Sequence, residues 1–158
     1  TDLVFLNLPD GAIRANAKTV QLITEEIQKI GPDMILLPPL LDQHRDHVAA
    51  SLAAIQAWRS SGGRAIALMW ELWQALPVNL VVDISSVFEL RRQASLEYKV
   101  ALHYKDYTIA NEGLAMYRGL YLSNGRYAEG FLELTAETVN GVADHLLSMR
   151  ALSEPNTH

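Results

Sequence analysis

The spacing of hydrophobic positions changes several times along the chain, and each change marks a predicted element. Over LVFLNL (3–8), Val4, Leu6 and Leu8 alternate with Leu3, Phe5 and Asn7, leaving both faces mostly apolar. Such a run reads as a strand covered on both sides. Pro9-Asp10-Gly11 ends it with a turn. From 16 to 30 the period lengthens: Val20, Ile23, Ile27 and Ile30 make one stripe, and Glu25 stands four residues before Lys29. That is an amphipathic helix, stopped by Gly31-Pro32. MILLP (34–38) is a second strand of buried type, broken at Pro38-Pro39. The helical period returns over 43–60, with Val48, Leu52 and Ile55 on one face, and SSGG (60–63) is a turn.

Residues 65–69 and 80–84 read as further strands with Pro77 between them, and 87–107 as one long helical region. The stretch 113–134 is mixed and holds two turn signals. Thr135 caps a last helix to about 152, with Val139, Val142, Leu146 and Met149 inward, and 153–158 is a frayed tail. Strand and helix alternate over the first half, which predicts an α/β fold: a Rossmann-like three-layer sandwich around a mainly parallel sheet. A single domain over 1–152 is expected, without internal repeats. The chain starts at Thr1 and drops directly into an apolar run. The expectation is that an N-terminal part of the domain precedes it.

Composition narrows the classes. Apolar residues make up 49 % and charged residues 20 %, enough for a packed core in 158 residues. The net charge of −5 offers no basic surface to neutralise phosphates, so no nucleic-acid partner is expected. With no cysteine, any metal must be held by His, Asp or Glu. No membrane span is expected, and a cytoplasmic location fits.

Chemistry concentrates in DQHRDH (42–47), just past the carboxyl end of the 34–38 strand and at a helix start. Open α/β sheets bind ligands at that edge. His44 and His47 are i,i+3, so both rings project from one helix face, and Asp42 and Asp46 can orient ring N–H groups. An ordinary helix start, with Asp42 as N-cap, explains the same residues equally well from spacing alone. Two histidines do not close a zinc shell. His103 and His145 read as structural or solvated, and Arg91 and Arg92 as a solvated helix face. Trp58, Trp70 and Trp73 read mostly as buried, and Glu129 as an ion-pair partner of Arg118.

PDMILLPPLLDQHRDHVAAS (32–51) resembles the second signature of the PIG-L-like (LmbE-like) metal-dependent N-deacetylases: a strand ending in Pro, a spacer, then H-x-D-H opening a helix. FLNLPDG (5–11), NLVVDIS (79–85), YRG (117–119) and YAEGF (127–131) are similar to other stretches of that family, in the same order. The family's A-H-P-D-D-E signature is absent from the chain and would lie upstream of Thr1; its H-x-S-Q stretch is not recognisable, with EYKVALHYKDY (97–107) in its place.

The resemblance implies roles. His47 matches a zinc ligand; His44 matches the histidine that stabilises the oxyanion or protonates the leaving amine; Asp46 would hold the His44 ring. Asp10 matches a position that binds sugar hydroxyls, and Arg118 would line the pocket. It implies Zn2+ or another divalent ion as cofactor. The implied substrate is a small N-acetylated amino sugar of the N-acetylglucosamine type, or its conjugate. This chain alone would be inactive. A non-catalytic sugar-binding relative or a generic α/β module is the alternative. An open sheet edge would favour a homo-oligomer.

Overall fold

A computed structural model describes residues 3–71 and 74–135. The expected C-terminal helix after Thr135, with His145, and also Trp73, lie outside these residues. The chain divides into two compact units, the first running to Gln74 and resuming at Glu133, the second Ala75–Leu132.

In the first unit, α1 (Ala17–Ile30) opens at Asn16, whose side-chain oxygen accepts the Thr19 amide at 3.0 Å. A cap of this kind is worth about 1 kcal/mol. Gly31 closes the helix in the left-handed region, φ 57°, and donates its N–H to the Ile27 carbonyl. A side chain there would be strained, which is why Gly31-Pro32 acts as the stop. β1 (Met34–Leu37), α2 (Arg45–Ser60) and β2 (Ile66–Trp70) follow. β1 and β2 pair in parallel, Met34 opposite Ile66 and Leu37 opposite Met69. α1 packs against α2. Leu37, Val48, Ala53, Ile55, Ala57, Ala67, Leu68 and Met69 are buried. Trp58 is buried too, as expected, and its indole N–H donates to the Ala65 carbonyl at 2.9 Å, so it is a core residue.

The expected strand over 3–8 is absent. These residues are irregular, Leu3, Val4 and Phe5 are exposed, and Asn7 turns into the left-handed region at φ 52°. A strand exists through its ladder partner, and among the described residues none pairs with this segment. The expected Glu25–Lys29 pair is also replaced. Glu25 accepts from Gln21, and Lys29 meets Glu26 at 3.4 Å.

The second unit holds β3 (Leu80–Asp83), α3 (Phe88–Leu96), α4 (Lys99–Tyr104), α5 (Tyr107–Gly119) and most of β4 (Ala128–Leu134). β3 and β4 are antiparallel, Leu80 opposite Phe131 and Asp83 opposite Ala128. Ile84, Phe88 and Ala115 form the core, with Tyr127 stacked on Phe88 at 3.7 Å between ring centroids. The long helix expected over 87–107 is two helices. Tyr98 leaves the helical region at ψ 57° and Lys105 is extended. Residues 97–100 are all exposed, so no buried face holds a continuous helix together there. Asp106 then starts α5 by accepting the Thr108 amide at 2.9 Å. The α/β class stands, with one parallel and one antiparallel pairing. Among the described residues no helix is long and apolar enough to cross a membrane.

Candidate functional site

Asp42 is the centre of the DQHRDH stretch. It is 2 % exposed. One carboxylate oxygen accepts the His44 amide at 2.7 Å, and the other lies 3.0 Å from His47 Nδ1. An ionised carboxylate only accepts, so His47 donates from Nδ1, and in the neutral ring Nε2 is then the lone-pair nitrogen. An ordinary helix start would have Asp42 as the N-cap of α2. The cap is instead His44, whose Nδ1 accepts the Asp46 amide at 3.3 Å. With Nδ1 accepting, the neutral His44 ring carries its proton on Nε2 and is a donor there. The two rings lie side by side, 4.5 Å between centroids and tilted by 30°. One helical turn therefore presents two imidazoles with opposite characters at Nε2: a lone pair on His47 and an N–H on His44.

Asp46 holds the His44 ring through its backbone amide and not through its carboxylate. It is 5 % exposed, and its oxygens accept the Gly11 amide at 2.6 Å and the Ile13 amide at 3.1 Å. The carboxylate thus clamps the turn 9–13 onto the start of α2, across more than thirty residues of sequence. Asp10 sits on that clamped turn, with its side chain exposed. Gly11 takes φ 74°, a conformation glycine adopts without strain, which presents its amide to Asp46.

The remaining candidates lie elsewhere. Arg118 is buried in the second unit and donates to the Leu76 carbonyl at 2.9 Å. Glu129 pairs with Arg91, not with Arg118, so Arg91 is no merely solvated residue. Arg92 pairs with Glu89 on an open face, as expected of it. His103 is exposed in α4 and meets Tyr104 edge-on. The VDIS and YAEGF stretches meet through Ser85. Its hydroxyl accepts the Arg126 and Tyr127 amides at 2.9 and 3.0 Å, and both its hydroxyl and its amide hold the Asp83 carboxyl below the ordinary carboxylate range. That join is structural.

A zinc centre needs at least three protein ligands. Among the described residues no three His, Asp or Glu side chains are grouped to hold a metal. They supply one histidine, His47, oriented by a buried carboxylate in the way metal-bound histidines are oriented. They do not supply a closed shell.

With this geometry in place, the comparisons with known proteins are informative. Several solved structures share the fold. The conserved protein TT1542 from Thermus thermophilus superposes with a TM-score of 0.72 at 23 % identity, over 81 % of this chain and 63 % of that one. GalB, the 4-carboxy-2-hydroxymuconate hydratase of Pseudomonas putida, gives 0.68 at 20 % identity, over 83 % and 64 %. The N,N'-diacetylchitobiose deacetylase of Pyrococcus horikoshii gives 0.68 at 18 % identity, over 85 % and 57 %. The chain spans less than two-thirds of the length of each. These likenesses define the class: an α/β protein of LmbE-like fold. In sequence, residues 1–58 match the family model described as PIG-L, GlcNAc-PI de-N-acetylase. Those residues contain the clamped turn, β1 and the whole DQHRDH cluster, so the resemblance read from the signatures holds where the candidate site lies. A search of curated proteins gives no match.

Proposed function

We propose that the whole protein is a metal-dependent N-deacetylase acting on an amino sugar of the N-acetylglucosamine type or its conjugate. The observation that carries this reading is the pair of imidazoles fixed in opposite roles by Asp42 and by the Asp46 amide, inside the residues that match the PIG-L family. The fold alone does not select this chemistry, since it is shared by a hydratase and a deacetylase at the same TM-score.

Amide hydrolysis requires a water nucleophile, stabilisation of the developing oxyanion and a proton for the leaving amine. His44 suits the second and third needs. Its Nε2–H is a preset donor, worth on the order of 2–4 kcal/mol when aimed at an oxyanion. His47 would ligate a divalent ion, zinc by family resemblance, through Nε2, with further ligands from outside the described residues. When bound, such an ion supplies an activated water and a polarised carbonyl. Asp42 keeps the His47 ring from rotating. Asp46 keeps the 9–13 turn against α2, and Asp10 on that turn would meet sugar hydroxyls, as the family resemblance implies. The reading rests on the first unit alone.

Acetate release from an N-acetylglucosamine conjugate by the whole protein, with and without zinc, tests it. Zinc-dependent release is expected. Sugar binding without acetate release would make the protein a non-catalytic relative, and neither binding nor release would leave only an α/β module.

A further inference from the structure

The outward side of α5 is unlike that of an ordinary surface helix. Ala115, Arg118 and Gly119 face the core of the second unit and are buried. The opposite side carries Ile109, Gly113, Met116 and, one residue past the helix, Leu120, all exposed. Ile109 is 73 % and Leu120 78 % exposed, and Tyr117 and Tyr121 flank them, also exposed. No charged residue interrupts this arc within the helix. A helix face in water is normally polar.

The spacing has a further property. Positions 109, 113, 116 and 120 are separated by four, three and four residues, the a/d spacing of a helix that packs along a second helix. The stripe is also palindromic. Two copies laid antiparallel set Ile109 against Leu120 and Gly113 against Met116. A Cβ on Gly113 would meet nothing within 4 Å, so the space above its backbone is open for a side chain from outside. Glycine in a helix interior costs about 1 kcal/mol relative to alanine, and no contact among the described residues explains it here.

Area and charge favour a copy of the same chain as occupant. A whole tyrosine offers roughly 150–250 Å² and an aliphatic side chain less; the exposed parts of Ile109, Met116, Tyr117, Leu120 and Tyr121 then sum to on the order of 600 Å², against about 800 Å² per partner in a standard interface. Two chains of net charge −5 repel each other, and an uncharged contact face minimises that repulsion. We propose that α5 is a homodimer interface, two copies packing antiparallel about a two-fold axis that passes between Gly113 and Met116. Such an isologous contact uses one patch on both copies. This does not rest on the deacetylase reading.

Sedimentation equilibrium of the 158-residue chain should show a monomer–dimer equilibrium. Leu120→Glu should raise its dissociation constant at least roughly thirtyfold, the effect of losing one central interface anchor. Because the chain has no cysteine, introduced thiols report geometry cleanly. Mixed Ile109→Cys and Leu120→Cys chains should form a disulfide-linked dimer on mild oxidation, and Ile109→Cys alone should not. The cross-linking positions are exposed, so this readout does not depend on a destabilising change. A chain that stays monomeric, a Leu120→Glu variant that dimerises as before, or cross-linking of Ile109→Cys with itself would overturn the proposal.

Discussion

Two helices of this protein, α2 and α5, carry aspartate at or beside their starts and use it differently. At α5, Asp106 accepts the amide and hydroxyl of Thr108, two residues away, and stays in solvent. At α2, Asp42 and Asp46 are buried, and between them they hold a ring nitrogen, the amide of the cap residue and two amides of a distant turn. The first arrangement ends a helix. The second fixes the relative positions of three segments, which is what a binding or catalytic site requires. Burial and the sequence distance of the partners separate a simple cap from a clamp here; residue identity does not.

That difference should appear first in stability. Asp42→Ala would leave the His44 amide without its acceptor and release the His47 ring, both at a buried position. A loss of about 3 kcal/mol is expected, read as a lower denaturation midpoint. A loss under about 0.5 kcal/mol would place Asp42 with the ordinary caps.

A second, slightly smaller effect belongs to the second unit. A Cβ on Gly119 would stand 2.3 Å from the Arg126 carbonyl oxygen, a backbone atom that cannot swing away. Gly119→Ala should cost roughly 2 kcal/mol by overpacking. An unchanged melting temperature would show that the YRG glycine has room after all.

Asp46→Asn should come next. One amide acceptor survives, but the new NH2 faces a backbone N–H, so about 1–2 kcal/mol is lost. The more telling readout is hydrogen exchange. The Gly11 and Ile13 amides should exchange faster while those of α2 keep their protection. Equal acceleration throughout would mean that Asp46 supports the fold generally and not the turn.

Asp106 gives the smallest effect, on the acid side of the pH profile. The Thr108 hydroxyl and amide hold its carboxyl below the ordinary range. A depressed folded-state pKa contributes stability that is present above the unfolded value and lost as pH falls through the folded one. Asp106→Asn should therefore lower stability slightly and evenly at neutral and alkaline pH and flatten a small part of the acid limb, where the two proteins converge. A change confined to alkaline pH would contradict the assignment.

How much of this was legible beforehand depends on how local each cause is. α1 was readable from its stripe and Gly31-Pro32, because caps and periodicity act within a few residues. DQHRDH was readable as a cluster, and the family match covers it. What Asp42 and Asp46 hold was not: the Asp46 clamp reaches Gly11, a contact that no spacing rule encodes. Residues 3–8 have a strand's pattern, but the pattern cannot supply a partner strand. The α3–α4 break and the α5 start turn on weak local preferences at Tyr98 and Asp106, where no apolar stripe gives a signal.

The central claim is that His44 and His47, one helical turn apart, do different work. The most direct measurement is the steady-state kinetics of His44→Ala in the whole, zinc-loaded protein on an N-acetylglucosamine conjugate. The account predicts a fall in kcat of roughly a hundredfold or more with KM little changed, because the donor at His44 Nε2 meets charge that exists only in the transition state. Near wild-type turnover would contradict it and reduce the stretch to a well-capped helix start.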